Sequence, residues 1–181
     1  MTNGCSIAGA STPTPPIRWD SSWPAFVPDR QRQELLSYFE TRFGIPYPVF
    51  ESFALLDRGK VYALLSGLAP AEAICSLKLQ GAGLPILRKM PTHLKPTTAA
   101  IQRFGPHATK HIVDMTADQV RELLQAGVMA YHTPLDSGYV ILRQAGHVLG
   151  CGLLTPGQLR SLIPKWLVRH QRLGGKSKET P

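Results

Sequence analysis

The sequence predicts an α+β protein of two small units, an α/β domain followed by a β-barrel. Three observations lead there. Helical and strand periods alternate over the first hundred residues, while short strands with closely spaced turns dominate after residue 127. A chain of 181 residues with 43% apolar content also suits two modest cores.

Residues 1–28 carry Pro13, Pro15, Pro16, Pro24 and Pro28 among Gly, Ser and Thr. That composition buries too little surface to offset ordering, so a flexible segment is expected, with Trp19 and Trp23 able to pack back onto the body. From Asp29 a helix runs to Gly44: Asp29 can cap it, Leu35, Leu36, Phe39 and Phe43 form an apolar stripe, and Gly44 ends it. Phe50 to Leu56 and Val61 to Leu65 read as two strands around the turn Asp57-Arg58-Gly59-Lys60. Ser76 to Gln80 alternates like a strand, and Pro85 makes Leu84 to Met90 an edge strand or an extended loop. Pro96 to Phe104 reads as a helix that Gly105 stops.

The second unit starts with a strand at Lys110 to Asp114 and a helix from Ala117 to Gln125. Thr116 caps that helix, Val120, Leu123 and Leu124 face inward, and Gly127 closes it. Three strands follow, Val128 to His132, Tyr139 to Arg143 and Val148 to Leu154, separated by short turns that favour a small barrel over βαβ units.

The formal charge is +8 and is unevenly placed. Residues 1–72 hold six Lys or Arg against seven Asp or Glu, a net −1; the remainder hold fourteen against five, a net +9. Such a half neutralises phosphates with release of counterions, so nucleic acid is the favoured partner and a membrane surface is not expected. No apolar run reaches the roughly 18 residues of a membrane span, and Met1 to Pro16 lacks the pattern of a signal peptide, so a cytoplasmic location is expected. Cys5, Cys75 and Cys151 are too few and too scattered for a disulfide framework or a zinc site.

The run Gly138-Tyr-Val-Ile-Leu, then Gly146, Leu149-Gly150-Cys151-Gly152, Gly157-Gln-Leu-Arg160 and Pro164-Lys165-Trp-Leu-Val-Arg169 resembles the C-terminal RNA-binding region of Nol/Nop/Sun-type RNA cytosine-5 methyltransferases. Phe43-Gly-Ile-Pro46, Arg58-Gly-Lys-Val-Tyr62 and Lys95-Pro-Thr97 resemble the start of the same region. The resemblance implies a pre-PUA domain at 29–104 and a PUA domain, a small RNA-binding β-barrel, at 105–172, flanked by the flexible segment 1–28 and a basic tail at 173–181. The layout is also similar to ribosome-biogenesis proteins of the Nip-seven type. One departure concerns the residue after Gly150-x-Gly152, where the family carries Lys and this chain has Leu153.

The sequence contains neither a Gly-rich strand-to-helix loop for S-adenosylmethionine nor a Pro-Cys catalytic loop, which predicts a non-enzymatic recognition protein without a cofactor. His107 and His111 have the i, i+4 spacing of a metal pair but lack the intervening Glu of a zinc protease helix, so no metal is expected. The expected partner is structured RNA, ribosomal or transfer, with a separate RNA methyltransferase or ribosomal protein as a further one. The alternative is an adaptor that binds only proteins of such a complex. The RNA-binding residues expected are Arg88, Lys89, Lys95, Arg103, Lys110, Arg143, Arg160, Lys165, Arg169 and Arg172, with Gly127 offering backbone N–H groups to a phosphate.

Overall fold

The computed structural model describes residues 25–66 and 83–165, and shows a mixed α/β protein with two five-stranded sheets. The expected strand at Ser76 to Gln80, Trp19, Trp23, Arg169 and Arg172 lie outside the described residues.

The first sheet is antiparallel throughout, in the order β1 (Ala25–Phe26), β2 (Phe53–Asp57), β3 (Val61–Ser66), β4 (Leu84–Lys89), β5 (Leu94–Pro96). Ala25 to Pro28 do not belong to a coreless segment, because Ala25 pairs with Asp57 and Val27 is buried against the core. Helix α1 (Asp29–Phe43) buries Leu35, Leu36, Phe39 and Phe43. Its N-cap is Pro28, with no side-chain cap, and Asp29 instead places its carboxylate in the first turn where the helix dipole favours it. Gly44, at φ 65°, donates its N–H to Glu40 O, as a left-handed cap requires. A 3-10 turn, Tyr47–Phe50, precedes β2 and shortens that expected strand at its start.

Strand β4 corrects the expectation for Pro85. It is internal, flanked by β3 and β5, and accommodates the missing N–H at a bulge where Tyr62 opposes Leu87 but Ala63 opposes Pro85. Thr97 locks the bulge: its hydroxyl donates to Pro85 O at 2.6 Å and its N–H to Ile86 O at 2.9 Å. The same hydroxyl oxygen accepts from Ala100 N and so caps α2 (Thr98–Phe104), which starts two residues later than Pro96 suggested.

Helix α2 lies between β4 of the first sheet and the long strand β9 (His147–Thr155) of the second. The second sheet runs in the order β6 (Ile112–Asp114), β8 (Gly138–Gln144), β9, β10 (Gln158–Ser161), β7 (Val128–Ala130), with β6 parallel to β8 and the other pairs antiparallel. Among the described residues the edge strands β6 and β7 do not pair with each other, so the sheet they describe is not closed into a barrel. Lys110 and His111 stand outside β6, because the N–H groups of Thr109 and Lys110 both go to Phe43 O and His111 adopts φ 51°. β10 had no alternating signal of its own; a four-residue strand carries too little pattern to be read.

Helix α3 (Ala117–Ala126) opens with the Thr116–Gln119 capping box and ends at Gly127, φ 80°. It covers one face of the second sheet with Val120 and Leu123 against Val140, Leu142, Leu154 and Leu159. The other face contributes Ile141 and Cys151 to a larger core with Phe39, Phe50, Ile86, Ile101 and Phe104. Each such side chain, fully buried, contributes roughly 1.5–3 kcal/mol, and the ring contact between Phe50 and Phe104 at 4.7 Å ties α2 into the core.

Candidate nucleic-acid interface

The strand registers determine which cations can act together. Arg88 on β4 and Lys95 on β5 are direct cross-strand partners, so they share a face with Cβ atoms about 5 Å apart. Two residues before Lys95, His93 Nε2 lies 2.8 Å from the hydroxyl of Tyr139 on β8. Tyr139 pairs with Leu153, and Leu153 pairs with Arg160 on β10. The β4–β5 hairpin therefore meets the second sheet at one end of the row Tyr139–Leu153–Arg160, with Arg88 and Lys95 on the hairpin side and Arg160 two strands away at the other end of the row. Leu153 occupies the place where the resembled family carries Lys, and Arg160 supplies a cation one strand away.

Hydrogen bonding separates the available cations from those already engaged. Among the described residues, Arg88, Lys95, Arg103, Lys110, Arg160 and Lys165 form no ion pair. Arg88, Arg103, Lys110, Arg160 and Lys165 are exposed, and Lys95 is half-buried. Lys165 lies three residues after Leu162, whose carbonyl accepts from the Thr98 hydroxyl at the start of α2. Arg103 sits in the last turn of α2. Lys110 lies apart, against Gly44 at the end of α1.

Three expected contacts are engaged elsewhere. Lys89 Nζ holds both oxygens of Asp57, at 2.9 and 2.8 Å, and sits 4.4 Å from the Tyr62 ring centroid. Burial lowers the Lys89 pKa, but the Asp57 carboxylate and Tyr62 hydroxyl more than offset this and leave it above the ordinary lysine value. Arg143 forks onto Asp114 with both contacts at 2.6 Å, and this hydrogen bonding lowers the Asp114 pKa. Arg143 also lies four residues along β8 from the Tyr139 row and two strands from Arg160, about 13 Å along and about 10 Å across. The Gly127 N–H donates to Leu123 O at 2.8 Å and its carbonyl accepts from Ser161 N, so its backbone groups serve the helix cap and β10.

Two arginines from the weakly charged half have structural roles that sequence alone did not reveal. Arg32 donates to the hydroxyl of Tyr47 and to the carbonyls of Phe50 and Phe53. Arg42 reaches from α1 to the carbonyls of Tyr139 at 2.8 Å and Asp136 at 3.1 Å, docking the helix on the second sheet. Its neighbour His111 donates from Nδ1 to Arg42 O at 2.6 Å. No group of three or more His, Cys, Asp or Glu side chains among the described residues is placed to hold a metal ion. Cys151 is fully buried, and burial pushes its thiol up to about 12 against the opposing charges of Lys95 and Arg42, so it is an inert core residue at neutral pH. No helix among the described residues is long and apolar enough to cross a membrane.

Fold and surface together define a mixed α/β protein whose unpaired cations, drawn from both sheets, suit a polyanionic ligand. The chain is similar to the ribosomal RNA small subunit methyltransferase F of Aeromonas salmonicida (strain A449), 22% identical over 149 residues, which is 82% of this chain and 30% of that protein. It is also similar to the protein of that name from Psychromonas ingrahamii, 22% identical over 178 residues, 95% of this chain and 35% of that one. The chain thus spans about a third of the length of these relatives. No protein-family model matches it.

Proposed function

We propose that this protein binds structured RNA, ribosomal RNA first, as a non-catalytic recognition module. The observation that carries this is that Arg88 and Lys95 are cross-strand partners next to the His93–Tyr139 contact between the two sheets, that Arg160 lies two strands along the Tyr139 row, and that none of the three has a carboxylate partner among the described residues. The likeness to ribosomal RNA methyltransferases supports RNA as the polyanion. In this reading residues 29–104 are the pre-PUA unit and 105–172 the PUA-type unit, whose open sheet is the RNA-binding face. The protein works in the cytoplasm beside a separate methyltransferase or ribosomal protein, without a cofactor of its own.

The test is affinity for a structured ribosomal RNA fragment as a function of salt. Each neutralised phosphate contributes roughly 0.7–0.9 to the logarithmic salt slope, so Lys95→Ala with Arg160→Ala should flatten it by about 1.4–1.8. Arg30→Ala with Arg121→Ala should leave it unchanged, because both of those cations are exposed and already paired, with Glu34 and Asp118. An unchanged slope in the first pair rules out this face, and binding of S-adenosylmethionine to the purified protein rules out the non-catalytic reading.

A further inference from the structure

A cleft of about 590 Å³ opens at the β1 edge of the first sheet, between the start of α1 and the chain entering β2. That size falls within the roughly 300–1,000 Å³ of ligand-binding clefts. Val27, Phe53 and Leu55 give it an apolar floor, in which Val27 and Leu55 are buried. Asp29 and Glu51 line it as exposed residues. Among the described residues neither carboxylate forms an ion pair or accepts a hydrogen bond. Arg32 lines the same cleft, but its guanidinium is turned to the Tyr47 hydroxyl and to the carbonyls of Phe50 and Phe53. It therefore holds the floor in shape and leaves both carboxylates without a partner.

Charge decides what can occupy it. Two carboxylates above an apolar floor repel phosphate, so neither RNA nor an anionic membrane surface suits this cleft. A long cationic side chain does suit it, because its aliphatic stem covers apolar surface while its head reaches the carboxylates. Arginine fits better than lysine, since its planar fork matches a carboxylate and stacks on a ring such as that of Phe53. The cleft lies at the β1 edge, whereas Lys95 is on β5, four strand spacings or about 19 Å across the sheet. A protein held at β1 thus leaves the cationic edge open.

We propose that this cleft docks a partner protein through an arginine flanked by apolar residues. The site lies apart from the RNA-binding face proposed above and does not depend on it. Its test titrates the full chain with the peptide acetyl-Leu-Arg-Leu-amide and, as the uncharged control, acetyl-Leu-Gln-Leu-amide. Binding is followed by the amide NMR signals of Ser52, Phe53 and Ala54. An exposed ion pair contributes up to about 5-fold in affinity and two together up to about 25-fold, so the arginine peptide should bind about 5- to 25-fold more tightly than its control. Asp29→Asn with Glu51→Gln should bring that ratio close to one, and Ser52→Trp, which fills the cleft from an exposed position, should abolish binding of both peptides. Both variants should keep the wild-type affinity for structured RNA, because no cation of that face changes. A ratio near one in the wild type, or one that survives in the double variant, overturns the docking site and leaves RNA binding standing. Loss of RNA affinity in the double variant would put RNA in the cleft and overturn it equally. A wild-type dimer in sedimentation that the double variant dissociates would make a second copy the occupant. Binding of the arginine peptide only after Trp19→Ala with Trp23→Ala would make the chain's own first segment the occupant, and either result overturns a partner protein.

Discussion

Gly150 and Gly146 belong to one Gly-rich motif but should respond very differently to an added methyl group. At Gly150, φ 155°, a Cβ would lie 2.8 Å from Thr98 Cγ2 on α2 and 2.9 Å from Ile163 Cγ1. Neither neighbour is a loose chain end: the Thr98 hydroxyl donates to Leu162 O, and the Ile163 N–H donates to the Ser161 hydroxyl. At Gly146, φ 80°, nothing lies within 4 Å. Gly146→Ala therefore meets only the left-handed backbone penalty, about 1–2 kcal/mol. Gly150→Ala adds overpacking of about 1–3 kcal/mol to the same backbone penalty of about 1–2 kcal/mol, for a total of about 2–5 kcal/mol. At about 2–4 °C per kcal/mol for a chain of this length, the melting temperature should fall by about 4–20 °C, against about 2–8 °C for Gly146→Ala. Thermal unfolding followed by circular dichroism measures both. A Gly150→Ala loss no larger than that of Gly146→Ala would refute the close approach of α2 to β9.

Arg32→Leu, which keeps the aliphatic stem but strips two backbone carbonyls of their donor, should lower stability by about 1–3 kcal/mol, read from the urea midpoint; an unchanged midpoint would show those bonds contribute nothing. Arg32→Lys should restore the midpoint only in part, because one ammonium nitrogen can reach both carbonyls, as Nη2 does, but cannot also place a second nitrogen on the Tyr47 hydroxyl as Nη1 does. Asp114, with its folded pKa lowered by Arg143, contributes stability above the ordinary carboxylate range and loses it as pH falls through the depressed value. Both side chains are substantially exposed, so the effect is small. An NMR titration should place the Asp114 midpoint below that of a free aspartate and return it upward in Arg143→Ala; an ordinary midpoint in the wild type would mean that the pair is not formed in solution.

Local chemistry was sufficient for much of the fold. The α1 stripe Leu35, Leu36, Phe39 and Phe43, the Gly44 and Gly127 caps, the Thr116 cap and the Gly59 hairpin depend on neighbours a few residues away, and each was legible for that reason. The strand status of Pro85, the existence of β10 and the open edges β6 and β7 depend on partners far along the chain, and only tertiary pairing decides them. Composition likewise located the positive charge in the second half but could not rank its members. Whether a cation is available to a phosphate depends on which carboxylate or carbonyl folding brings beside it. Asp114 takes Arg143 and Asp57 takes Lys89, while cross-strand register brings Arg88 to Lys95 and Arg160 into the Tyr139 row. The cleft between Asp29 and Glu51 was invisible for the same reason, since its walls are separated in sequence and meet through the pairing of β1 with β2.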